Sequence, residues 1–270
     1  HSHGPVLTFR KVERMRGREA LASYGTDLAR MVAMLVRSGL PATHIARLVS
    51  HLNDALVRRL LVWAERDLGE PPCPYAFLVF GSEGRFEQTL LTDQDNALVY
   101  RDGDEAARSY FRRLAHKVVA DLVSAGFPPC PGGCMATNHA GSLSEWVDRF
   151  GAWIDTPKAE AILAAGIFFD HRSAGGGLDL APLGDVLARA RRNAPFLSHL
   201  ARGAIAFRPP LGAFRRLELE NGGVDLKKGG IAPIQGLARL WALDAGVRAT
   251  PTVDRLRAAT SAGLLDPESG

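Results

Sequence analysis

Residues 80–99 read FGSEGRFEQTLLTDQDNALV and hold the side chains best suited to chemistry. The apolar run AFLVF ends at Phe80 and is followed by Gly81 and Ser82. A glycine after a strand lets a ligand approach the backbone closely. If SEGRFEQTL opens a helix, Ser82 is its N-cap, and the free N–H groups and helix dipole favour a phosphate. Arg85 would add a charge-assisted fork to a phosphate oxygen. Asp93 and Asp95 then stand one residue apart. Strand alternation puts both on one face, ~6.5–7 Å apart, which suits carboxylates sharing one Mg2+ or flanking a metal pair. With Gln at 94 and Asn at 96, the stretch lacks ordinary apolar–polar alternation, so an exposed Asp-rich turn is the competing reading. An EF-hand loop fails at Ala97, where an oxygen ligand is required.

The elements that must position these groups are legible in outline. Two helical stripes come first: Leu28, Val32, Leu35 and Val36, then Ile45, Leu48, Val49, Leu52, Leu56, Leu60 and Trp63. Gly39-Leu40-Pro41 separates them, giving a helical hairpin, with His44 and His51 expected on its surface. AFLVF and NALVY read as strands buried on both faces. A third strand is expected at GIFFD, residues 166–170. A long helix follows the turn at Asp102-Gly103-Asp104 and closes at Gly126, and Ser142-Leu143-Ser144-Glu145 fits a capping box opening another. Beyond Gly177 the pattern is helical. The expected class is α/β (α+β): a small mixed sheet preceded by a helical hairpin and followed by a mostly helical region. The expected domains are 5–70 (helical), 71–175 (the sheet domain) and 176–270 (helical).

The 270-residue chain has a net charge of +4, a mild basic excess that suits an anionic ligand without implying nucleic acid. No apolar run approaches a membrane span, and cytoplasmic location is expected. The opening HSHG has the look of a cloning scar. Three cysteines, Cys73, Cys130 and Cys134, argue against a disulfide framework. CPGGC spaces Cys130 and Cys134 as zinc ligands can be spaced, with His139 following, but no second cysteine pair exists; free thiols in a Pro/Gly loop are the expectation.

A Gly-Ser turn after a buried strand, then Asp-x-Asp ten residues on, resembles the nucleotidyltransferase superfamily of the DNA polymerase beta-like fold. The stretch is similar in particular to the nucleotidyltransferases found downstream of CBS and cyclic-nucleotide-binding domains in bacterial signalling proteins, where Gln between the aspartates is usual. HLNDALVRRLL, PPCPGGCMATN, FFDHR, FRPPLGAF and DLKKGGIAPIQGLARL agree with that family. DLKKGGI also resembles a basic, Gly-rich element of glutamine synthetase adenylyltransferase and the PII uridylyltransferase.

The resemblance implies transfer of a nucleoside monophosphate from an NTP to an acceptor hydroxyl, with pyrophosphate leaving. Gly81 and Ser82 would hold the triphosphate, helped by Arg85, Lys227 and Lys228, and Arg172 would either contact phosphate or pair with a carboxylate. Asp93 and Asp95 would bind Mg2+ or Mn2+, with Asp170 as third carboxylate or base. Glu87 and Gln88 would fix the phosphate loop, and Asn138 would line the cleft. The acceptor is a protein or a small molecule, regulatory domains stand upstream in the full-length protein, and neither membrane nor nucleic acid is expected as partner. A catalytically silent nucleotide-sensing module is the alternative.

Overall fold

The computed structural model describes residues 4–206 and 225–266. Among them the chain runs through α1 (Pro5–Glu13), α2 (Tyr24–Arg37), α3 (Ala42–Leu68), β1 (Tyr75–Val79), α4 (Gly81–Gly84), β2 (Asn96–Tyr100), α5 (Glu105–Ser124), β3 (Ala140–Ser142), α6 (Leu143–Asp155), α7 (Ala159–Phe168), β4 (Arg172–Gly176), α8 (Ala181–Arg189), α9 (Ala194–Ile205), α10 (Ala232–Ala245) and α11 (Thr252–Ser261). It divides into two compact units, residues 1–146 with 170–180, and 147–169 with 181–270. The division falls within α6.

In the first unit the four strands form one mixed sheet in the order β3-β2-β1-β4. β1 pairs antiparallel with β2 on one side and with β4 on the other, while β3 runs parallel to β2. Every residue of β1 and β2 is buried, as the continuous apolar runs require. Tyr75, Phe77 and Val79 share a face with Leu98 and Tyr100 and join the core built from α2, α3 and α5. Each such fully buried side chain contributes about 1.5–3 kcal/mol. Tyr100 stacks on Phe111 of α5 at 4.6 Å between ring centroids. The α2–α3 hairpin forms as its stripes dictate, and His44 and His51 are both exposed on it. α5 is capped by Asp104, which accepts from the Ala107 N–H. Glu145 Oε2 accepts from the Ser142 N–H while Ser142 Oγ accepts from the Glu145 N–H, which is the reciprocal capping box.

Two expectations are corrected, and one strand was not anticipated. GIFFD is not a strand. Ala159–Phe168 is helix, because AEAILAAGIF is rich in strong helix formers. The strand comes next, at Arg172–Gly176, a segment with no β-branched or aromatic residue that is held by its ladder to β1. Three-residue β3 was not foreseen, since AGS carries no strand signal. Ser82 does not cap a long helix either. The helix after β1 is a single turn whose N-cap position is Phe80, with no side-chain cap.

The second unit is helical among the described residues. Its interior is aromatic: Phe150 lies 5.0 Å from Phe169, Trp153 stacks on Phe168 at 5.3 Å, and Phe169 meets Phe196 at 5.9 Å. The quoted motif FRPPLGAF falls outside the described residues, as does the side chain of Lys228. Lys227 is exposed in this unit, at the start of the helical turn leading to α10. None of the described helices is long and apolar enough to cross a membrane.

Candidate functional site

The site follows from the register of three strands. Val79, the last residue of β1, is opposite Asn96 on one side and Arg172 on the other. Residues just before Asn96 and just before Arg172 therefore flank the same end of β1. Asp93 and Asp95 arrive from one side and Asp170 from the other. The Phe80 N–H donates to the Asp95 carbonyl at 3.0 Å, extending the β1–β2 ladder by one step and drawing Gly81 beside Asp95. Gly81 has φ +56°, and a Cβ there would stand 3.4 Å from Asp95 Oδ2. Gly81 and Asp95, both singled out from sequence, are thus neighbours.

Residues 91–95 are not strand; β2 begins at Asn96. They nevertheless alternate. Asp93 is exposed and Asp95 half-buried, while Gln94 and Asn96 point inward. The Gln94 amide donates to the carbonyls of Val119 and Phe127, Asn96 Nδ2 donates to Gln94 Oε1, and Asn96 Oδ1 accepts from the Ala136 N–H. The alternation is acid against amide, and the buried amides satisfy backbone groups that would otherwise be left unpaired. Gln94 is a fastener that sets the direction of the acids on either side of it.

The β4 side is organised differently. Asp170 is 0% exposed, and its Oδ2 accepts from Arg85 Nη1 at 2.7 Å. Arg85 is also buried and donates from Nε to Glu87. Burial alone would lower the Arg85 pKa, but Asp170 and Glu87 outweigh it and raise it. Gly84 permits this packing: a Cβ there would lie 1.8 Å from the Asp170 carbonyl oxygen. Arg172 is held likewise. Its Nη1 donates to both Asp54 carboxylate oxygens at 2.6 and 2.7 Å, Nε donates to the Glu83 carbonyl, and Nη2 reaches Glu83 Oε2 at 3.2 Å. The guanidinium also lies 4.0 Å from the centroid of the Phe86 ring. Phe86 carries a positive φ of 58°, uncommon for a bulky residue and a mark of a constrained turn.

Glu83 is the hub of this side. Asn53 of α3 donates to it and in turn accepts from the Tyr24 hydroxyl. Burial pushes the Glu83 carboxyl up to about 7, with Asp54 adding to the rise and Asn53 and Arg172 opposing it. Burial also raises Asp54, against the pull of Arg172. Asn53, Asp54 and Glu83 were not singled out from sequence. For Asn53 and Asp54 the signal was there in HLND, a polar pair beside the apolar stripe of the helix.

The remaining residues support the loops. The Ser82 hydroxyl donates to Gln88 Oε1, whose Nε2 donates to the Leu90 carbonyl and to Thr92 Oγ1. Asn138 is exposed and donates to the Gly133 carbonyl, bracing the CPGGC loop. That loop sits at the site: Asp95, Cys130 and Cys134 have ligand atoms within 4.8 Å of one another. All three cysteines are free. Burial pushes the Cys134 thiol up to about 11 and raises Cys130 as well. A cavity of about 30 Å³, room for a water or two, runs between Asp54, Glu83, Gln88, Asp93 and Asp95.

An antiparallel strand pair that sets a glycine turn beside two carboxylates, within a small mixed sheet followed by helices, is the framework of the nucleotidyltransferase fold. The family comparison agrees. Residues 26–160 match the model described as "Putative nucleotidyltransferase DUF294", and residues 194–270 match the "Putative nucleotidyltransferase substrate binding domain". The chain belongs to this nucleotidyltransferase family. No curated protein matched the sequence.

Proposed function

We propose that the chain is a Mg2+-dependent enzyme that transfers a nucleoside monophosphate from an NTP to an acceptor hydroxyl. The observation that carries this reading is the placement of Gly81 against Asp95 with Asp93 exposed beside it. The exposed Asp93 and the half-buried Asp95 together offer a hard oxygen donor set, which suits Mg2+ or Mn2+. When bound, such an ion neutralises triphosphate charge and lowers the pKa of the acceptor hydroxyl. The first N–H groups of the turn at Gly81 and Ser82 have no partner within that turn and would face phosphate oxygens. The acceptor oxygen bonds to the α-phosphorus, the bond to the β-phosphate oxygen breaks, pyrophosphate leaves, and the hydroxyl proton passes to solvent.

Arg85, Arg172 and Asp170 enter this reading as positioning residues. Arg85 with Asp170, and Arg172 with Glu83 and Asp54, fix the turn that carries Gly81. Preorganisation of this kind is what in-line displacement needs. Lys227 and Lys228 are assigned to phosphate or base from the second unit. Regulatory domains upstream, and a cytoplasmic signalling role with a protein or small-molecule acceptor, complete the reading.

The enclosure of both arginines also favours a second reading, a sensor that binds nucleotide without transfer. Calorimetry with ATP, with and without Mg2+, tests the site. Wild type is expected to bind in a Mg2+-dependent way and the Asp93→Asn, Asp95→Asn double variant not to. Unchanged Mg2+-dependent binding in the double variant would sink the metal site. Label from α-phosphate-labelled NTPs appearing on an acceptor, with pyrophosphate, supports transfer; binding without either supports the sensor.

A further inference from the structure

We propose that Asp95, Cys130 and Cys134 form a second cation site, specific for a thiophilic divalent ion such as Zn2+, that shares Asp95 with the nucleotide site. The three ligand atoms already lie within 4.8 Å of one another. Around a tetrahedral ion with bonds of ~2.0–2.3 Å, ligand atoms stand ~3.5 Å apart, so a contraction of about an ångström closes the site. The loop that carries the thiols is built for this convergence. The Gly133 N–H donates to the Cys130 carbonyl, making a reverse turn that folds the two cysteines to one side. A Cβ on Gly132 would lie within 4.0 Å of both sulfurs. The Asn96 N–H donates to the Cys134 carbonyl, tying the loop to the first residue of β2, next to Asp95. The C-x3-C spacing falls inside the range that zinc pairs use.

Ligand chemistry separates this site from the one proposed for Mg2+. Two sulfurs and one oxygen select Zn2+ and reject Mg2+, which requires oxygen ligands in octahedral array. Three protein ligands leave a fourth position open, the pattern of an exchangeable rather than a sealed structural site. Binding forms two metal–sulfur bonds and one metal–oxygen bond and releases two thiol protons to solvent. It also withdraws Asp95 from any ion that it shares with Asp93. That consequence rests on the nucleotidyl-transfer reading; the cation site itself does not.

The test uses the reduced 270-residue chain titrated with Co2+, whose thiolate charge-transfer absorption reports sulfur ligation. One equivalent is expected to produce the band in wild type. Cys130→Ser and Cys134→Ser should each abolish it. Asp95→Asn should weaken Co2+ affinity by more than the about 10–100-fold that loss of an outer-shell partner costs. Zn2+ should also protect Cys130 and Cys134 of the wild-type chain from alkylation while leaving Cys73 reactive, a readout that needs no variant to fold. Absence of the band in wild type, its persistence in both serine variants, unaltered affinity in Asp95→Asn, or equal protection of Cys73 would each overturn the proposal. A thiolate band in a chain that never binds Mg2+–nucleotide supports the cation site and overturns the nucleotidyl-transfer reading instead.

Discussion

Carboxylates crowd both sides of β1, but the two groups are balanced by different means. On the β4 side Asp170, Asp54 and Glu83 meet arginines inside the unit, and Asp170 is fully enclosed. On the β2 side Asp93 faces solvent and Asp95 faces two thiols. A buried carboxylate is tolerable only when a counter-charge and hydrogen bonds replace its water, so the β4 acids are bound into the architecture. The β2 acids are less enclosed: Asp93 is exposed and Asp95 half-buried. A carboxylate locked to an arginine is part of the architecture, and the proposed metal site draws on the acids of the other side.

The largest effect expected is on the locked side. Arg85→Ala would leave Asp170 buried without its guanidinium, and removing one partner of a buried pair costs about 3–5 kcal/mol. Denaturant unfolding should show that loss; an effect near zero would show that Asp170 is not electrostatically bound into the fold. Gly84→Ala should follow, because its Cβ would stand 1.8 Å from the Asp170 carbonyl and the backbone must yield. The expected loss is about 1–3 kcal/mol, the usual cost of overpacking. A normal melting temperature for this variant would mean that the turn and Asp170 can part without penalty.

Glu83 sharpens the comparison through pH. Its pKa is raised by burial from the ordinary 4.5 to about 7, so the fold favours the protonated acid. That contribution is fully present below about 4.5 and is lost as the pH rises through about 7. Wild-type stability should therefore decline across this window through Glu83. Glu83→Gln cannot ionise and should flatten that part of the profile by about 3 kcal/mol, a rise of about 2.5 pH units at about 1.4 kcal/mol each. Identical slopes for the two proteins between these limits would remove Glu83 as the titrating group.

Much of this arrangement was legible in the sequence because strand pairing is local and periodic. AFLVF and NALVY were readable as buried strands, and pairing them places Gly81 against Asp95 with no further information. The β4 side was not readable, because what holds it is long-range. Arg172 reaches back to Asp54 and Glu83, residues from two elements far apart in sequence, and no spacing rule links them. Which acids Arg85 and Arg172 pair with was equally out of reach, because a sequence shows a charge but not the acid that meets it. GIFFD misled because a short apolar run suits strand or helix equally, and the alanines before it decided the matter. The CPGGC thiols were noticed, but the approach of Asp95 to them was not foreseen, because it comes from another segment and no spacing rule links the two.

The smallest stability effect is expected at Asp93, and there a null result carries the information. Asp93 is exposed, so Asp93→Asn should change unfolding free energy by no more than about 0.5 kcal/mol, the usual range for a surface substitution. Mg2+ then separates stability from function. An ion that binds only the folded chain raises its melting temperature by mass action, so wild type should gain stability with Mg2+ and Asp93→Asn should gain little. If Asp93→Asn instead destabilised the chain as much as Arg85→Ala, both groups of acids would be architectural and the contrast across β1 would collapse. Equal stabilisation of both proteins by Mg2+ would leave the contrast in the fold intact but take the cation away from Asp93.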